Sequence, residues 1–400
     1  MNKNKLYLVF DNLQTVHLSK DVGELISGSE DLTCFGASIV TSTDCQIANT
    51  YQAINIVNLK RVSLPRISIR FFVLYKIKSG DYLLLYHGGL INYILAFIIK
   101  FIKPKVKIIL KLDFNDLIVQ RFIHAPGIIE KVKSVLRQLL GGFIDLYIIE
   151  TQKSFDLLKN LSPFKSSIAL IPNGISAIKA YGWDVIKEDL IVVVGRIGAS
   201  EKNHELLLKA FASSKNLQGY KLYFVGPVKA NFKRFYEDLC FANPTLKEMV
   251  YFTGNIENKE DLNHYYKRAK IVAFSSYYEG FSIAMIEAMY FGCYLISTDL
   301  AVAFDLTLNG IHGKIVPINS QLLSKMEKDG VVDYVKYIHA NQDEINHSSW
   351  FENSVDLYAS TLDEVISHSF DISNARENSQ RIFNEYNWPK IRKVFNETIR

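Results

Sequence analysis

Short runs made almost entirely of Val, Ile, Leu, Phe and Tyr recur along this chain, each followed by a longer amphipathic stretch. A strand with one face in water alternates apolar and polar residues, so runs that are apolar on both faces belong to strands covered on both sides. In the first half such strands are expected at residues 6–10, 33–41, 69–75, 81–87, 106–112 and 145–150. In the second half they are expected at 190–195, 221–225, 250–253, 271–275 and 294–297. Strands of this kind alternating with helices build parallel sheets clothed on both faces, an α/β doubly wound architecture that here occurs twice.

A length of 400 residues fits about two domains of 100–200 residues each. The boundary is expected within 171–189, where Pro172, Asn173, Gly174 and Gly182 interrupt the pattern before a new strand begins. The expected division is 1–175, 176–375 and a closing helical segment 376–400 that crosses back to the first domain. Trp388-Pro389 breaks that segment in two, and from Gln321 onward the periodicity is helical only. No repeat of solenoid period and no low-complexity tract is present.

The composition, 48% hydrophobic and 22% charged, is that of a globular chain. The apolar run Leu6-Tyr7-Leu8-Val9-Phe10 is too short for a signal-peptide core and reads as a first strand. No stretch reaches the roughly 18–20 uninterrupted apolar residues of a membrane span. The nearest, residues 90–99, contains Asn92 and stops at Lys100. Cys34, Cys45, Cys240 and Cys293 lack metal-type spacing and are too few for a disulfide framework, so a cytoplasmic location is expected. Net charge is +5 but uneven. Residues 1–180 hold 22 Lys/Arg against 13 Asp/Glu, and residues 51–111 hold 11 basic residues against the single acid Asp81. Any one of these lysines is best read as a solvated surface charge. A run this one-sided suits an anionic membrane surface or an acidic acceptor. No nucleic-acid-binding motif accompanies it.

Two segments carry chemistry. The first is Ser275-Ser276-Tyr277-Tyr278-Glu279-Gly280-Phe281-Ser282-Ile283-Ala284-Met285-Ile286-Glu287-Ala288-Met289. It follows a strand and opens a helix with Ser282 as N-cap, so the amides around Gly280 to Ala284 and the positive helix end form an anion site. Glu279 lies ahead of the helix and Glu287 about five residues into it, roughly 7 Å along the axis at 1.5 Å per residue. Carboxylates so spaced can hold two parts of one ligand, such as a sugar and a ribose diol. A capped core helix bearing two surface glutamates is the plainer account, and the strand, Gly280-Phe281 and the small Ala284 and Ala288 weigh against it.

The second is Val192-Val193-Val194-Gly195-Arg196-Ile197-Gly198-Ala199-Ser200-Glu201-Lys202-Asn203, again strand, loop and helix. Gly195 permits close backbone approach. Arg196 offers a planar fork and Lys202 a point charge, which suits a diphosphate gaining charge as it leaves. Taken alone, the segment also reads as a surface loop with two solvated cations.

Together these segments resemble the signature of retaining GT-B glycosyltransferases of the large family 4, the glycosyl transferases group 1, and among them the polysaccharide-biosynthesis type. Ile171-Pro172-Asn173-Gly174-Ile175 resembles that family's domain-boundary motif, and Phe252-Thr253-Gly254-Asn255 its loop beside the nucleotide base. Asn309-Gly310-Ile311-His312-Gly313-Lys314-Ile315-Val316-Pro317 resembles the segment after the last strand, and Asn384-Glu385-Tyr386-Asn387-Trp388 the crossing-back segment. The resemblance is dense over about residues 145–395. It implies a GT-B fold, two Rossmann-like domains facing across a cleft, the first binding acceptor and the second nucleotide sugar. It implies that Glu279 contacts the donor sugar and Glu287 the ribose. Arg196 and Lys202 hold the diphosphate with the amides of Phe281, Ser282 and Ile283, and the base lies near Ile256. The implied reaction retains anomeric configuration by front-face displacement and commonly uses no metal or other cofactor. Uridine or guanosine diphosphate is the expected nucleotide and a glycan or lipid-linked molecule the expected acceptor, in bacterial cell-surface polysaccharide synthesis. Two segments depart from the family pattern. Asp11 to Gly23 lacks the paired glycines frequent after the first strand, its part from His17 to Gly23 resembling a variant among polysaccharide-assembling members, and Leu300-Ala301-Val302-Ala303 replaces a Gly/Pro-rich turn.

Asp113, ending Ile108-Ile109-Leu110-Lys111-Leu112-Asp113, stands at the carboxyl end of a strand, where an acid could stabilise positive charge or orient an acceptor hydroxyl. A turn or N-cap carboxylate is an equal reading. His87, before Gly88-Gly89, is a second candidate and His17 a third. Residues 90–102 are expected to pack as a helix on the sheet. Residues 128–140 form an amphipathic helix with Lys131, Lys133 and Arg137 that could lie on an anionic leaflet as a peripheral attachment. Two other readings compete: a different enzyme on the same fold, such as an epimerase or phosphorylase, and a catalytically silent partner subunit that binds glycan or a sibling transferase. No motif serves the former, and retention of Arg196, Lys202, Glu279 and Glu287 argues against the latter.

Overall fold

The protein is described from a computed structural model. It describes residues 4–11, 13, 15–18, 20–27, 36–41, 55–58, 65–115, 117–119, 127–164, 167–177, 179–183, 185–217, 219–331, 333–368 and 370–400. Cys34 and Cys45 lie outside them.

The first compact unit holds residues 1–114, 119–176 and 386–400. Its sheet comprises β1 (Lys5–Val9), β2 (Gly36–Thr41), β3 (Asn55–Asn58), β4 (Tyr82–Tyr86), β5 (Lys107–Leu112), β6 (Leu146–Ile149) and β7 (Ile168–Leu170). All pairings are parallel in the order β3-β2-β1-β4-β5-β6-β7. Leu83, Leu84 and Leu85 of β4 are buried together, as a strand covered on both faces requires. One face is closed by the helices Asp21–Ser27 and Trp388–Ile399, whose Val22, Ile26, Trp388, Ile391 and Phe395 share a core with Leu6, Leu8 and Leu84. The helices Pro65–Lys76, Leu90–Ile102 and Gly127–Gly141 follow β3, β4 and β5, and every step runs the same way across the sheet. Right-handed crossovers put all three on its other face. Lys103 Nζ ties the first two together through the carbonyls of Leu74 and Ile77 at 2.7 and 2.6 Å.

The second unit holds residues 115–118 and 177–385. Its strands are β8 (Glu188–Val194), β9 (Lys221–Val225), β10 (Val250–Gly254), β11 (Ala269–Phe274), β12 (Tyr294–Thr298) and β13 (Gly313–Val316), all parallel in the order β10-β9-β8-β11-β12-β13. The helices His204–Ser213 and Ser349–Ser367 pack together on it, sharing a core of Leu206, Phe211, Tyr358 and Leu362.

Several expectations are corrected. Residues 69–75 are not a strand but part of the helix Pro65–Lys76, because Ile69 and Val73 are buried while Phe71 and Tyr75 are exposed, a four-residue period. β3, β7 and β13, each of three or four residues, were not anticipated. The closing segment joins the first unit at Tyr386 rather than at residue 376. The helix Ile372–Tyr386 is held in the second unit by Ser379 and Arg381, which bond the carbonyls of Tyr290 and Leu306. Residues 115–118 also belong to the second unit, with Leu117 in its core. Leu300-Ala301-Val302-Ala303, where the sequence departs from the family's Gly/Pro-rich turn, caps and starts the helix Ala301–Thr307.

Candidate active site

In a doubly wound sheet the ligand crevice forms at the carboxyl ends where strand order reverses. In the second unit that point lies between β8 and β11, from which the two chemistry-bearing segments emerge.

The β8 loop turns through the 3₁₀ segment Ser200–Lys202 and Asn203, in left-handed conformation (φ 49°), into the helix His204–Ser213. His204 fixes the loop from beneath. Its Nδ1 accepts from the Gly198 amide at 3.0 Å, and its ring meets Phe224 and Phe232 edge-on. Burial first, and the Lys202 charge second, push its pKa down to about 3, so the ring is neutral and can accept. The β11 loop is stitched to this one at several points. Ser275 Oγ donates to the carbonyls of Lys202 and Asn203 (3.0 and 2.8 Å), and the Tyr277 amide donates to the Glu201 carbonyl (2.8 Å). The His339 ring joins Ser200 Oγ and Tyr278 Oη, 2.6 Å from each.

Lys202 Nζ and Glu279 Oε1 meet at 2.5 Å, both side chains mostly buried. Ser276 Oγ donates to the same Glu279 oxygen at 2.8 Å, and the Ser276 carbonyl is held by Thr298 and Asn319. Arg196 is 74% exposed and paired with Glu201 at 2.5 Å, an exposed cation beside a mostly buried one. Glu287, on the helix Ile283–Tyr290, is paired with Lys259 at the start of the helix Lys259–Arg268. Ile256 is half-buried in the loop between β10 and that helix.

Ser282 occupies the cap position as expected, but its hydroxyl makes no capping bond. The first internal bonds run from Met285 and Ile286 to the Ser282 carbonyl, so the amides of Ile283 and Ala284 have no acceptor within the helix. They leave a concentration of positive potential beside Gly280, Phe281 and Glu279. The neighbouring strand ends are glycines: Gly195 after β8, Gly226 after β9 and Gly254 closing β10. Gly226 (φ +139°) is obligatory, because a Cβ there would lie 1.9 Å from the Gly195 carbonyl oxygen. The glycines thus bring backbone close together at the sheet's end, beside a mostly buried lysine, an exposed arginine, two glutamates and a helix N-terminus.

The sheet of the first unit reverses between β1 and β4, and His87 and Asp113 follow β4 and β5. His87 Nδ1 lies 2.9 Å from Asp113 Oδ1. Burial would lower the imidazole pKa, but the hydrogen bond and charge of Asp113, with Asp21 and Asp11 behind it, leave it raised. Burial would likewise raise Asp113, and the His87 bond and charge leave it lowered. His87 is held in a left-handed conformation (φ 66°) by Asn92, whose Nδ2 donates to the carbonyls of Tyr86 and His87 at 2.8 and 3.0 Å. Arg70, bound to Asp11, donates in turn to Asn92 Oδ1 at 2.8 Å. Beneath lies the fully buried Lys111, against Glu150, with Asp21 and Asn173 at 3.2 and 3.1 Å. His17 packs on Phe10, 5.1 Å between ring centroids.

The structure therefore brings Gly195, Lys202, Glu279, Gly280, Phe281, Ser282 and Ile283 to one sheet end, with Arg196 and Glu287 beside them in ion pairs. Asp113 stands in the other unit with His87. His339, Lys259, Asn92 and Arg70 escaped sequence reasoning, since their partners are remote in sequence or on separate elements.

Residues 184–328 match the model of the family described as Glycosyl transferases group 1. Over 139 residues the chain is 31% identical to the GalNAc-alpha-(1->4)-GalNAc-alpha-(1->3)-diNAcBac-PP-undecaprenol alpha-1,4-N-acetyl-D-galactosaminyltransferase of Campylobacter jejuni, a match covering 34% of this chain and 36% of that relative's length. The Anabaena protein HepE in complex with UDP superposes with a TM-score of 0.62 at 15% identity, covering 99% of both chains. The sucrose-phosphate synthase of Thermosynechococcus elongatus does so at 0.61 and 16%, covering 99% of this chain and 98% of that one. The fold is thus GT-B, two Rossmann-like domains, and the similarity to glycosyl transferases group 1 lies in residues 184–328 of the chain.

Proposed function

From a GT-B fold whose residues 184–328 match glycosyl transferases group 1, we propose that this protein is a retaining glycosyltransferase. It moves a sugar from a nucleoside-diphosphate sugar to a glycan or lipid-linked acceptor in bacterial cell-surface polysaccharide synthesis, working at the cytoplasmic face of a membrane. The observation that carries the reading is the Lys202–Glu279 pair at the reversal point of the second sheet. It offers a diphosphate a buried cation and a sugar an adjacent carboxylate, with helix-end amides next to both. The relative named for an undecaprenol-linked acceptor supports the acceptor class, and the relative bound to UDP supports a uridine nucleotide.

In the proposed reaction the bond from the anomeric carbon to the diphosphate oxygen breaks and its electron pair leaves with the diphosphate. Lys202, Arg196 and the amides of Phe281, Ser282 and Ile283 stabilise that charge without a metal. The acceptor hydroxyl bonds to the anomeric carbon on the same face, and its proton passes to the departing phosphate oxygen. Glu279 holds the sugar, Glu287 the ribose diol once Lys259 is displaced, and the base lies near Ile256. Asp113, oriented by His87, is assigned to the acceptor hydroxyl.

Calorimetric titration with UDP-, GDP-, ADP- and CMP-sugars tests this. The expected result is binding of one nucleotide class in the presence of EDTA, abolished in Arg196→Ala and Glu287→Ala. Absence of binding by every donor would replace this reading with that of a silent partner subunit.

A further inference from the structure

The helix Gly127–Gly141 is turned inside out. A helix on a sheet ordinarily buries its apolar stripe and exposes its charged one. Here Ser134 and Gly141 are buried, and Glu130 faces partly inward, paired with Lys133 at 2.8 Å and with Arg137 at 3.7 Å. The orientation is fixed at Gly141, where a Cβ would lie 2.2 Å from Pro163 and whose carbonyl accepts from Tyr147. The large apolar side chains consequently point to solvent. Ile128 is 82% and Leu139 68% exposed, with Ile129, Val132, Val135 and Leu136 along the same stripe.

The neighbouring helices extend this surface. Leu90–Ile102 buries Tyr93, Leu95, Ala96 and Ile99 toward the sheet and exposes Phe97, Phe101 and Ile102 outward. Pro65–Lys76 exposes Phe71 and Tyr75. One face of the first unit thus presents a broad apolar layer, where soluble monomers rarely expose more than a few hundred Å² of contiguous apolar surface.

Charge identifies what covers it. Lys76, Lys78, Lys105, Lys107 and Lys131 are exposed on or beside these three helices. The nearby acids are engaged: Glu130 with Lys133, Asp145 with Lys100, and Asp81 with the amides of Lys5 and Lys78. An apolar surface fringed by lysines that pair with no acid among the described residues fits the boundary between anionic headgroups and acyl chains. Among the described residues no helix is long and apolar enough to cross a membrane, so the fit is to lying on the bilayer. We infer that the outer face formed by helices Pro65–Lys76, Leu90–Ile102 and Gly127–Gly141 docks on an anionic lipid membrane, inserting Ile128, Ile129, Val132, Leu136, Leu139 and Phe101. This rests on the membrane-side transferase reading and names the surface responsible. Asn92, which holds His87, lies on the first turn of one of the docking helices, so attachment and the His87–Asp113 end share an element.

Flotation of the full chain with phosphatidylcholine vesicles, with and without phosphatidylglycerol, tests the inference. The wild type should float with the anionic vesicles only. Ile129→Ser/Val132→Ser/Leu136→Ser should reduce recovery by about tenfold or more with circular dichroism unchanged, since these side chains are exposed. Neutralising Lys105, Lys107 and Lys131 to Gln should weaken binding by about fivefold per lysine. Equal wild-type recovery with both vesicles, or a serine variant that floats like the wild type, overturns the inference. So does a wild-type dimer that the serine variant converts to monomer, because a second copy then owns the face. UDP-sugar titration of the same samples separates the two readings. Lost flotation with intact donor binding overturns the docking face alone, and retained flotation without donor binding overturns the transferase reading alone.

Discussion

Lys202 Nζ and Glu279 Oε1 lie 2.5 Å apart although 77 residues separate them, because β8 and β11 are neighbours and each loop begins where its strand stops. The pair is mostly buried, and Ser276 donates to the same carboxylate oxygen. In the protein as it stands each charge answers the other, and under the proposed function a bound diphosphate sugar would replace those contacts with its own.

Lys202→Ala is therefore expected to reduce transfer by about 10²–10³-fold in kcat, the usual effect of removing one preorganised donor to a leaving charge. Lys202→Arg should restore little, because a guanidinium fork does not occupy an ammonium's place. Steady-state kinetics with the donor identified by calorimetry checks this, and a wild-type kcat in Lys202→Ala would remove Lys202 from the mechanism.

The His87–Asp113 pair makes a signed prediction about pH. His87 has a raised pKa, so its contribution to stability is full below the unfolded value near 6.5 and fades as pH rises through the folded one. Asp113 is lowered, so its share is present above its unfolded value and is lost as pH falls through the folded one. His87→Ala should therefore cost more stability near pH 5.5 than near pH 8.5. Asp113→Asn should shift the His87 titration downward by NMR, and an unmoved titration would mean that the pair is not formed in solution.

His204 gives the opposite sign. With its pKa pushed down from 6.5 to about 3, the unfolded chain binds a proton between those values that the folded one refuses, so stability falls as pH drops across that window. His204→Phe should flatten that slope in urea titrations at successive pH values. It should also cost about 1–3 kcal/mol at neutral pH, because the Gly198 amide loses its acceptor.

Trp388 is buried in the first unit's core, and its ring and backbone crowd Gly174. Trp388→Ala should destabilise by about 3–5 kcal/mol. The loss should fall on the first unit alone, so calorimetric scans with a saturating amount of whichever nucleotide the titration identifies, which would raise only the transition of the unit that binds it, should show the other transition moved. A uniform shift of both transitions would contradict that assignment.

The parallel sheets were legible because runs such as Leu83-Leu84-Leu85 are apolar on both faces, and the Lys202 and Glu279 loops because they directly flank strands of that kind. Residues 69–75 misled because Ile69 and Val73 sit among other apolar residues that turned out to face solvent. β3 and β13 are four residues each, too short for a period to show. His339 was invisible because its partner Ser200 lies 139 residues away. The inverted helix shows a different limit. Periodicity reveals that 128–140 has an apolar stripe, but the burial of Ser134 and the packing of Gly141 on Pro163 show which way the stripe faces.

The helix Trp388–Ile399 closes the face of a sheet whose first strand is Lys5–Val9. During synthesis that sheet waits for its lid while roughly two hundred residues of the other unit emerge, about 10–40 s at 5–20 residues per second. Until then the helix Asp21–Ser27 alone covers Leu6, Leu8 and Leu84 on that side. The half of the protein made first is finished last, and in the cell that interval is where a chaperone or a protease would find it.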